Sequence, residues 1–260
     1  MIARMETRTM DVTTMGRGVS MRLAFFSDVH GNELALDAVI ADLRQVGCDG
    51  VYVLGDLAFR GYAPKACVEK VAEVADKVIR GNADEWVVRG VRPGEVPDER
   101  RAGMDEEAAF ARGLLAREEL EYLANLPLLL QEESPFGRWL AFHATPLDPF
   151  PVVAADAPDD DIESRIVAGQ DARLYLYGHI HVPYVRDIRG RTVVNLGSVG
   201  MPFDGVPQAS YVILHVDEDV FRVEHRRVPY DVEAACKRYD EIGYPAAEMM
   251  KRVLRTARPV

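Results

Sequence analysis

Cysteine is scarce in this chain. Three residues among 260, Cys48, Cys67 and Cys236, are odd in number, far apart and in no C-x-x-C pattern. That excludes a disulfide framework and a cysteine-rich zinc site, and it fits a reducing compartment. Long apolar runs are also missing. None approaches the roughly 18 to 20 residues of a membrane span, and the first twenty residues lack the apolar core of a secretory signal. Positive charge is in short supply: 31 Lys and Arg stand against 42 Asp and Glu, a formal net charge of -11. Such a chain has no basic footprint for gripping nucleic acid and no polybasic segment for an anionic membrane. An anionic substrate must therefore have its charge met locally, by metal ions or a few arginines. We expect a cytoplasmic protein with no membrane contact and no stable nucleic-acid binding.

What is present is a soluble, core-forming composition, 48% hydrophobic and 28% charged. Met21 directly precedes the first apolar run and is a candidate start. We read residues 1–20 as a disordered extension and residues 21–260 as a single domain. Residues 22–27 read as a buried strand, and Asn32 as the N-cap of an amphipathic helix over 33–45 that Gly47 ends. Residues 51–54 form the next strand, so the unit is strand, helix, strand, with a parallel pair. Pro64 opens another helix, and residues 78–79 form a third strand. Residues 85–126 change character and read as a helical insertion covering one side of a site, with helices at 106–115 and 117–126. Strands are expected near 128–131, 138–142, 174–177, 184–188, 192–196, 210–216 and 221–228. The last four are expected as an antiparallel meander in a second sheet. Two helices, from about 231 and 246, close the chain.

The strand ends carry the chemistry. Asp28 and His30 follow the first strand, Asp56 the second, Asn82 the third. His143 follows the strand at 138–142, and His179 and His181 follow that at 174–177. In an extended segment, residues two apart point the same way, so Asp28 with His30, and His179 with His181, each present two donors to one point. Ligand sites of open α/β sheets lie outside the carboxyl ends of their strands. Each of these residues alone has a bland reading as a turn aspartate or a core histidine. Seven of them at consecutive strand ends do not. The remaining histidines, His215 and His225, lie within strands and read as structural.

The donors are carboxylate, imidazole and amide, without thiolate. That favours a catalytic site for Mn, Fe, Zn or a similar divalent ion over a structural zinc. Seven donors are too many for one tetrahedral ion. They suit two ions, about 3.5–4 Å apart, sharing one carboxylate, with Asp56 the natural bridge. Such a pair generates hydroxide near neutral pH and clamps the oxygens of an in-line phosphoryl displacement.

The motifs Asp28-Val29-His30, Gly55-Asp56, Gly81-Asn82-Ala83-Asp84, His143 and Gly178-His179-Ile180-His181 resemble those of the calcineurin-like metallophosphoesterases. Ser27 to Asn32, with Asn195-Leu196-Gly197-Ser198 further on, are most similar to the small bacterial and archaeal phosphodiesterase branch. The resemblance implies an α/β fold, a two-sheet β-sandwich of mixed strands flanked by helices in four layers. It implies Asp28, His30, Asp56 and His181 on one metal, and Asp56, Asn82, His143 and His179 on the other. It also implies a small phosphate-ester substrate, with phosphodiester hydrolysis as the leading activity. Protein phosphatase, dinucleoside polyphosphate hydrolase and a non-catalytic metal-binding scaffold are the alternatives. Two departures stand out. Ala83 replaces the histidine that usually follows Gly-Asn and serves the leaving group, which implies slow turnover of alkyl monoesters. Phe203 stands after Pro202 where many relatives have arginine, leaving Arg60 as the candidate phosphate contact.

Overall fold

The structure, a computed structural model, describes residues 20–259. The expected extension over residues 1–20 lies, Ser20 apart, outside the described residues. Two five-stranded sheets face one another. The first has the order β10-β9-β1-β2-β3 and the second β4-β5-β6-β8-β7. Their strands are β1 (Met21–Phe26), β2 (Gly50–Val53), β3 (Lys77–Val78), β4 (Leu129–Glu132), β5 (Trp139–Phe142), β6 (Leu174–Tyr177), β7 (Tyr184–Ile188), β8 (Arg191–Asn195), β9 (Ala209–Asp217) and β10 (Val220–Val228). Strands β1, β2 and β3 run parallel, as do β5, β6 and β8.

Side-chain alternation along β1 sorts the core. Leu23 and Phe25 point between the sheets, where they meet Tyr52, Leu54, Trp139, Leu176 and Val194. Phe25 stacks on Tyr52 at 4.8 Å and meets Trp139 edge-on at 5.4 Å. Ala24 and Phe26 point the other way, onto helices α1 (Glu33–Val46) and α2 (Pro64–Val74). Because β1 is covered on both faces, it reads as an unbroken apolar run rather than an alternating one. Helix α1 begins where the Asn32 side chain accepts the Ala35 N–H at 3.2 Å, and it ends at left-handed Gly47.

Three expectations need correction. The hairpin of β9 and β10 is not part of the second sheet. It pairs with β1 in the first. Residues 209–214 are buried without interruption, because Val212 and Leu214 pack between the sheets while Ala209, Tyr211 and Ile213 pack on the helix side of the first sheet. The helix expected at 106–115 starts earlier, as α4 (Asp98–Gly113), followed by α5 (Arg117–Asn125). Pro97 precedes it, and Asp98 and Glu99 complement the helix dipole in its first turn. Third, a further short helix, α3 (Asn82–Arg89), which the expected helices did not include, opens at Asn82. Helices α3 to α5 close over the first sheet through Trp86, Val87, Ala108, Ala111 and Leu123. A short helix, α6 (Asp159–Ile162), continues as a π-turn over Glu163–Val167 against the second sheet. Helices α7 (Val232–Glu241) and α8 (Ala247–Thr256) form a small cluster of their own, around Tyr239, Tyr244 and Leu254.

Among the described residues, no helix is long and apolar enough to cross a membrane. All three cysteines are free thiols.

Candidate metal centre

The six loops that leave β1, β2, β3, β5, β6 and β8 meet at one end of the sandwich. Beyond the strands, the first two loops keep pairing through their backbones. The N–H groups of Asp28 and His30 donate to the carbonyls of Gly55 and Asp56, at 3.0 and 2.9 Å. All seven candidate side chains come together there. Asp28, His30, Asp56, Asn82, His143 and His181 are buried, and His179 is nearly so.

The donors fall into two overlapping groups. Ligand atoms of Asp28, His30, Asp56 and His181 all lie within 4.8 Å of one another. In that group His181 Nε2 is 3.0 Å from Asp28 Oδ1 and 3.2 Å from His30 Nε2. In the second group Asn82 Oδ1 lies 2.9 Å from both His143 Nε2 and His179 Nδ1, and His143 Nε2 lies 3.4 Å from Asp56 Oδ2. Donors sharing an ion at about 2.0–2.2 Å are spaced in this range.

The protonation pattern tests whether a cation fits. His30, His143 and His181 each turn Nδ1 to a backbone carbonyl, of Phe59, Leu54 and Met201, at 2.9, 2.7 and 2.6 Å. A carbonyl only accepts, so each Nδ1 carries a proton and each ring turns its Nε2 inward. The Nε2 atoms of His30 and His181 face each other. His143 Nε2 faces the Asn82 amide oxygen and the Asp56 carboxylate. Asp28 Oδ1, in the midst of the cluster, is buried with no hydrogen bond. A buried carboxylate oxygen without a donor, ringed by imidazole nitrogens, is what a cation site requires, so the donor set fits divalent metal.

Electrostatics agrees. Burial disfavours the Asp28 carboxylate, but His181 and His143 outweigh it and hold its acidity below the ordinary aspartate range. Asp56 is lowered likewise, with His143 and His30 overcoming burial. Burial, followed by the neighbouring imidazoles, drops His30 and His179 to about 4. Burial also works against a charged His143, yet Asp56 and Asp28 push it up to about 10. The two carboxylates therefore draw positive charge into the centre, where a metal ion would take the place of that proton.

One expectation brought these residues together by the wrong geometry. Asp28 and His30 do not alternate along an extended strand. β1 ends at Phe26, and Asp28, His30, Asp56, His179 and His181 all take left-handed backbone, with φ between 47° and 67°. For a non-glycine residue this conformation is strained, of order 1–3 kcal/mol each. It bends each loop so that its donors face inward.

Asp84, the last residue of its motif, is a structural tie. Its carboxylate accepts the backbone N–H groups of Asp56 and Leu57 at 2.8 Å, and of Gly81 at 2.9 Å. It ties the loops after β2 and β3 together. Burial and the charge of Asp56 push its carboxyl up to about 7, while the three N–H donors favour the carboxylate. Asp84→Asn turns an amide N–H₂ toward at least one of those N–H groups. We expect a loss of about 2–3 kcal/mol, seen as a melting temperature lower by roughly 4–10 °C. A wild-type melting temperature would deny Asp84 this role.

Arg60 does not stand free to meet phosphate. It pairs with Glu107 of α4 at 3.2 and 3.3 Å, and Glu107 also accepts the Tyr244 hydroxyl at 2.8 Å. Glu107 escaped the sequence reading, although an acid in register with Met104, Ala108 and Ala111 on the apolar stripe of a helix is a visible signal. Phe203 stacks on the His181 ring at 4.5 Å. The Asn195-to-Ser198 segment lies directly beneath: Ser198 Oγ donates to the Asp28 carbonyl, and Asn195 Nδ2 to that of Gly178. His215 pairs with Glu224, and His225 with the Asn195 carbonyl.

The profile of the calcineurin-like phosphoesterase superfamily domain matches residues 21–219. The chain belongs to that superfamily. It is 30% identical over 234 residues to the uncharacterized protein MJ0912 of Methanocaldococcus jannaschii, covering 84% of this chain and 91% of that protein. It is 30% identical over 214 residues to phosphodiesterase YfcE of Escherichia coli, covering 78% and 91%. The crystal structure of a metallophosphoesterase from Sphaerobacter thermophilus superposes with a TM-score of 0.75 at 28% identity, over 91% of this chain and 99% of that one. The PH1004 protein of Pyrococcus horikoshii, at 22% identity, shares the fold with a TM-score of 0.76 over 92% of this chain and 99% of its own. The superfamily and the four-layer sandwich agree with the motif reading.

Proposed function

We propose that the chain is a phosphodiesterase working with two divalent metal ions. Asp28, His30, Asp56 and His181 would hold one ion, and Asp56, Asn82, His143 and His179 the other. The observation that carries this reading is the convergence of seven donor side chains, with Asp28 Oδ1 buried and unpartnered among them. The similarity to phosphodiesterase YfcE supports it. A bound pair of divalent ions lowers the pKa of water and neutralises charge on phosphoryl oxygens. The chain's own residues do the positioning. The carbonyls of Phe59, Leu54 and Met201 fix the tautomer and tilt of three imidazoles. The His179 N–H holds Asp28 Oδ2 at 3.0 Å, and the Ala83 N–H holds Asp56 Oδ1 at 2.8 Å. The test is metal content together with hydrolysis of bis-p-nitrophenyl phosphate. Two ions per chain and manganese-stimulated turnover are expected. A protein that stays metal-free and inactive after manganese loading overturns the reading.

No histidine, aspartate or cysteine stands at position 83 to protonate a leaving group, although its backbone lies directly against Asp56. We therefore expect activated aryl diesters to be turned over far faster than alkyl esters. Ala83→His should raise the rate on an alkyl diester by about 10²-fold, the low end for general acid catalysis, and leave the aryl rate within a few-fold. The two rates, measured on variant whose circular dichroism matches wild type, decide it. An unchanged ratio removes Ala83 as the cause.

A further inference from the structure

A cavity of about 380 Å³ opens next to the metal centre. Four of the chain's nine methionines, Met104, Met201, Met249 and Met250, line it together with Phe203 and Val253. Two of these residues also touch the centre. The Phe203 ring stacks on His181, and the Met201 carbonyl accepts the His181 Nδ1–H at 2.6 Å. The cavity is therefore one side chain away from the donor cluster. Its far walls come from α4 and α8.

The lining specifies what fits. Thioethers adapt in shape and make favourable contacts with aromatic edges. Arg60 also lines the cavity, but Glu107 grips it through two hydrogen bonds. Glu99 and Arg100 at the rim again match one acid with one base. With its charges balanced, the cavity does not call for a second anion. At this volume it suits one ring system. We propose that this cavity is the subsite for a neutral aromatic arm, an aryl or nucleoside group, of the phosphate ester whose phosphate lies at the metal centre. The assignment rests on the phosphodiesterase reading above, and it gives Arg60 a place in the wall of the subsite instead of on the phosphate.

Gly103 supplies a clean test. It lines the cavity from an exposed turn of α4, and a Cβ added there meets no atom within 4 Å. Gly103→Trp should fill the space without disturbing the fold. Phenylphosphonate and methylphosphonate, neither of them hydrolysable, serve as probes on the zinc-loaded protein with isotope-labelled methionine methyls. Phenylphosphonate should bind at least about tenfold more tightly, the value of burying one ring. It should shift the Met104, Met249 and Met250 methyl signals, which methylphosphonate leaves in place. Gly103→Trp should abolish both the preference and the shifts while still binding methylphosphonate. Equal binding of the two probes to wild type, or unmoved methionine signals, overturns the subsite. If hydrolysis of bis-p-nitrophenyl phosphate persists in that case, only the subsite has failed. If no ester is hydrolysed, the phosphodiesterase reading has failed, and the assignment to a substrate arm goes with it even where phenylphosphonate is preferred.

Discussion

Asp56→Asn is expected to cut kcat/KM for bis-p-nitrophenyl phosphate by at least about 10³-fold, equivalent to about 4 kcal/mol of transition-state stabilisation. Bound metal should fall from two ions per chain to one or none, with circular dichroism unchanged. Asp56 is the only side chain in both donor groups. Its Oδ1 is pinned by the Ala83 N–H at 2.8 Å, and its Oδ2 faces His143 Nε2 at 3.4 Å and His30 Nε2 at 3.7 Å. An asparagine that keeps the Ala83 bond turns its amide N–H₂ toward the two imidazoles. A donor then occupies the place of a shared acceptor. A buried negative charge beside the imidazoles is also lost, and with it much of what draws cations into the pocket. The backbone contacts of Asp56 and the three bonds of Asp84 remain, so the fold should survive. A variant with two bound ions and activity within tenfold of wild type would deny Asp56 the bridging place.

Much of this centre was legible in the sequence because strand ends advertise themselves. A buried strand is an unbroken apolar run, and the first polar residues after it must sit at the sheet's carboxyl edge. Applying that rule to the apolar runs ending at Phe26, Leu54, Ile79, Phe142 and Tyr177 brings out all seven donors. Hairpin membership was less legible. Phe221 to Val228 alternates, but alternation says only that one face is buried, not which sheet buries it. The decisive fact is the continuous burial of β9, which depends on α1 and β1 far away in the chain. Glu107 and the cavity were hidden for a similar reason. They form where α4 meets α8, elements about 150 residues apart, and no local pattern encodes that meeting.

Backbone strain was invisible for another reason. Aspartate and histidine take left-handed φ more readily than most residues, but that tolerance does not say which of them will do so. The strain becomes intelligible only with the loops in place. The loops leaving β1 and β2 are hydrogen-bonded backbone to backbone from Asp28 to Gly31, and that ladder imposes the bends. The folded scaffold thus holds the seven donor side chains inward, so an ion entering there would find them pre-organised.

Gly81→Ala should expose how tightly that scaffold is drawn. Its φ of -93° is ordinary, so the glycine is not there for conformational freedom. It is there for space. A Cβ at Gly81 would lie 2.0 Å from Asp56 Oδ1 and 2.6 Å from the Asp56 backbone nitrogen. The first contact is with the atom held by Ala83, and the second is with backbone anchored by Asp84, so neither neighbour can swing aside. The same arrangement recurs at Gly178, where a Cβ would meet Asp28 Oδ2 at 2.5 Å. The glycines before Asn82 and His179 are therefore spacers that let one loop of the centre touch the carboxylate of another. Pushing Asp56 aside by about an ångström should cost about 10²-fold in kcat/KM and about 1–3 kcal/mol of stability through overpacking. Gly81→Ser should do at least as much damage. Turnover and thermal melts of the two variants, beside a control at exposed Gly113, where a Cβ meets nothing within 4 Å, measure both effects. Wild-type turnover in Gly81→Ala would mean that the loops after β2 and β3 can separate without moving the ligand they share.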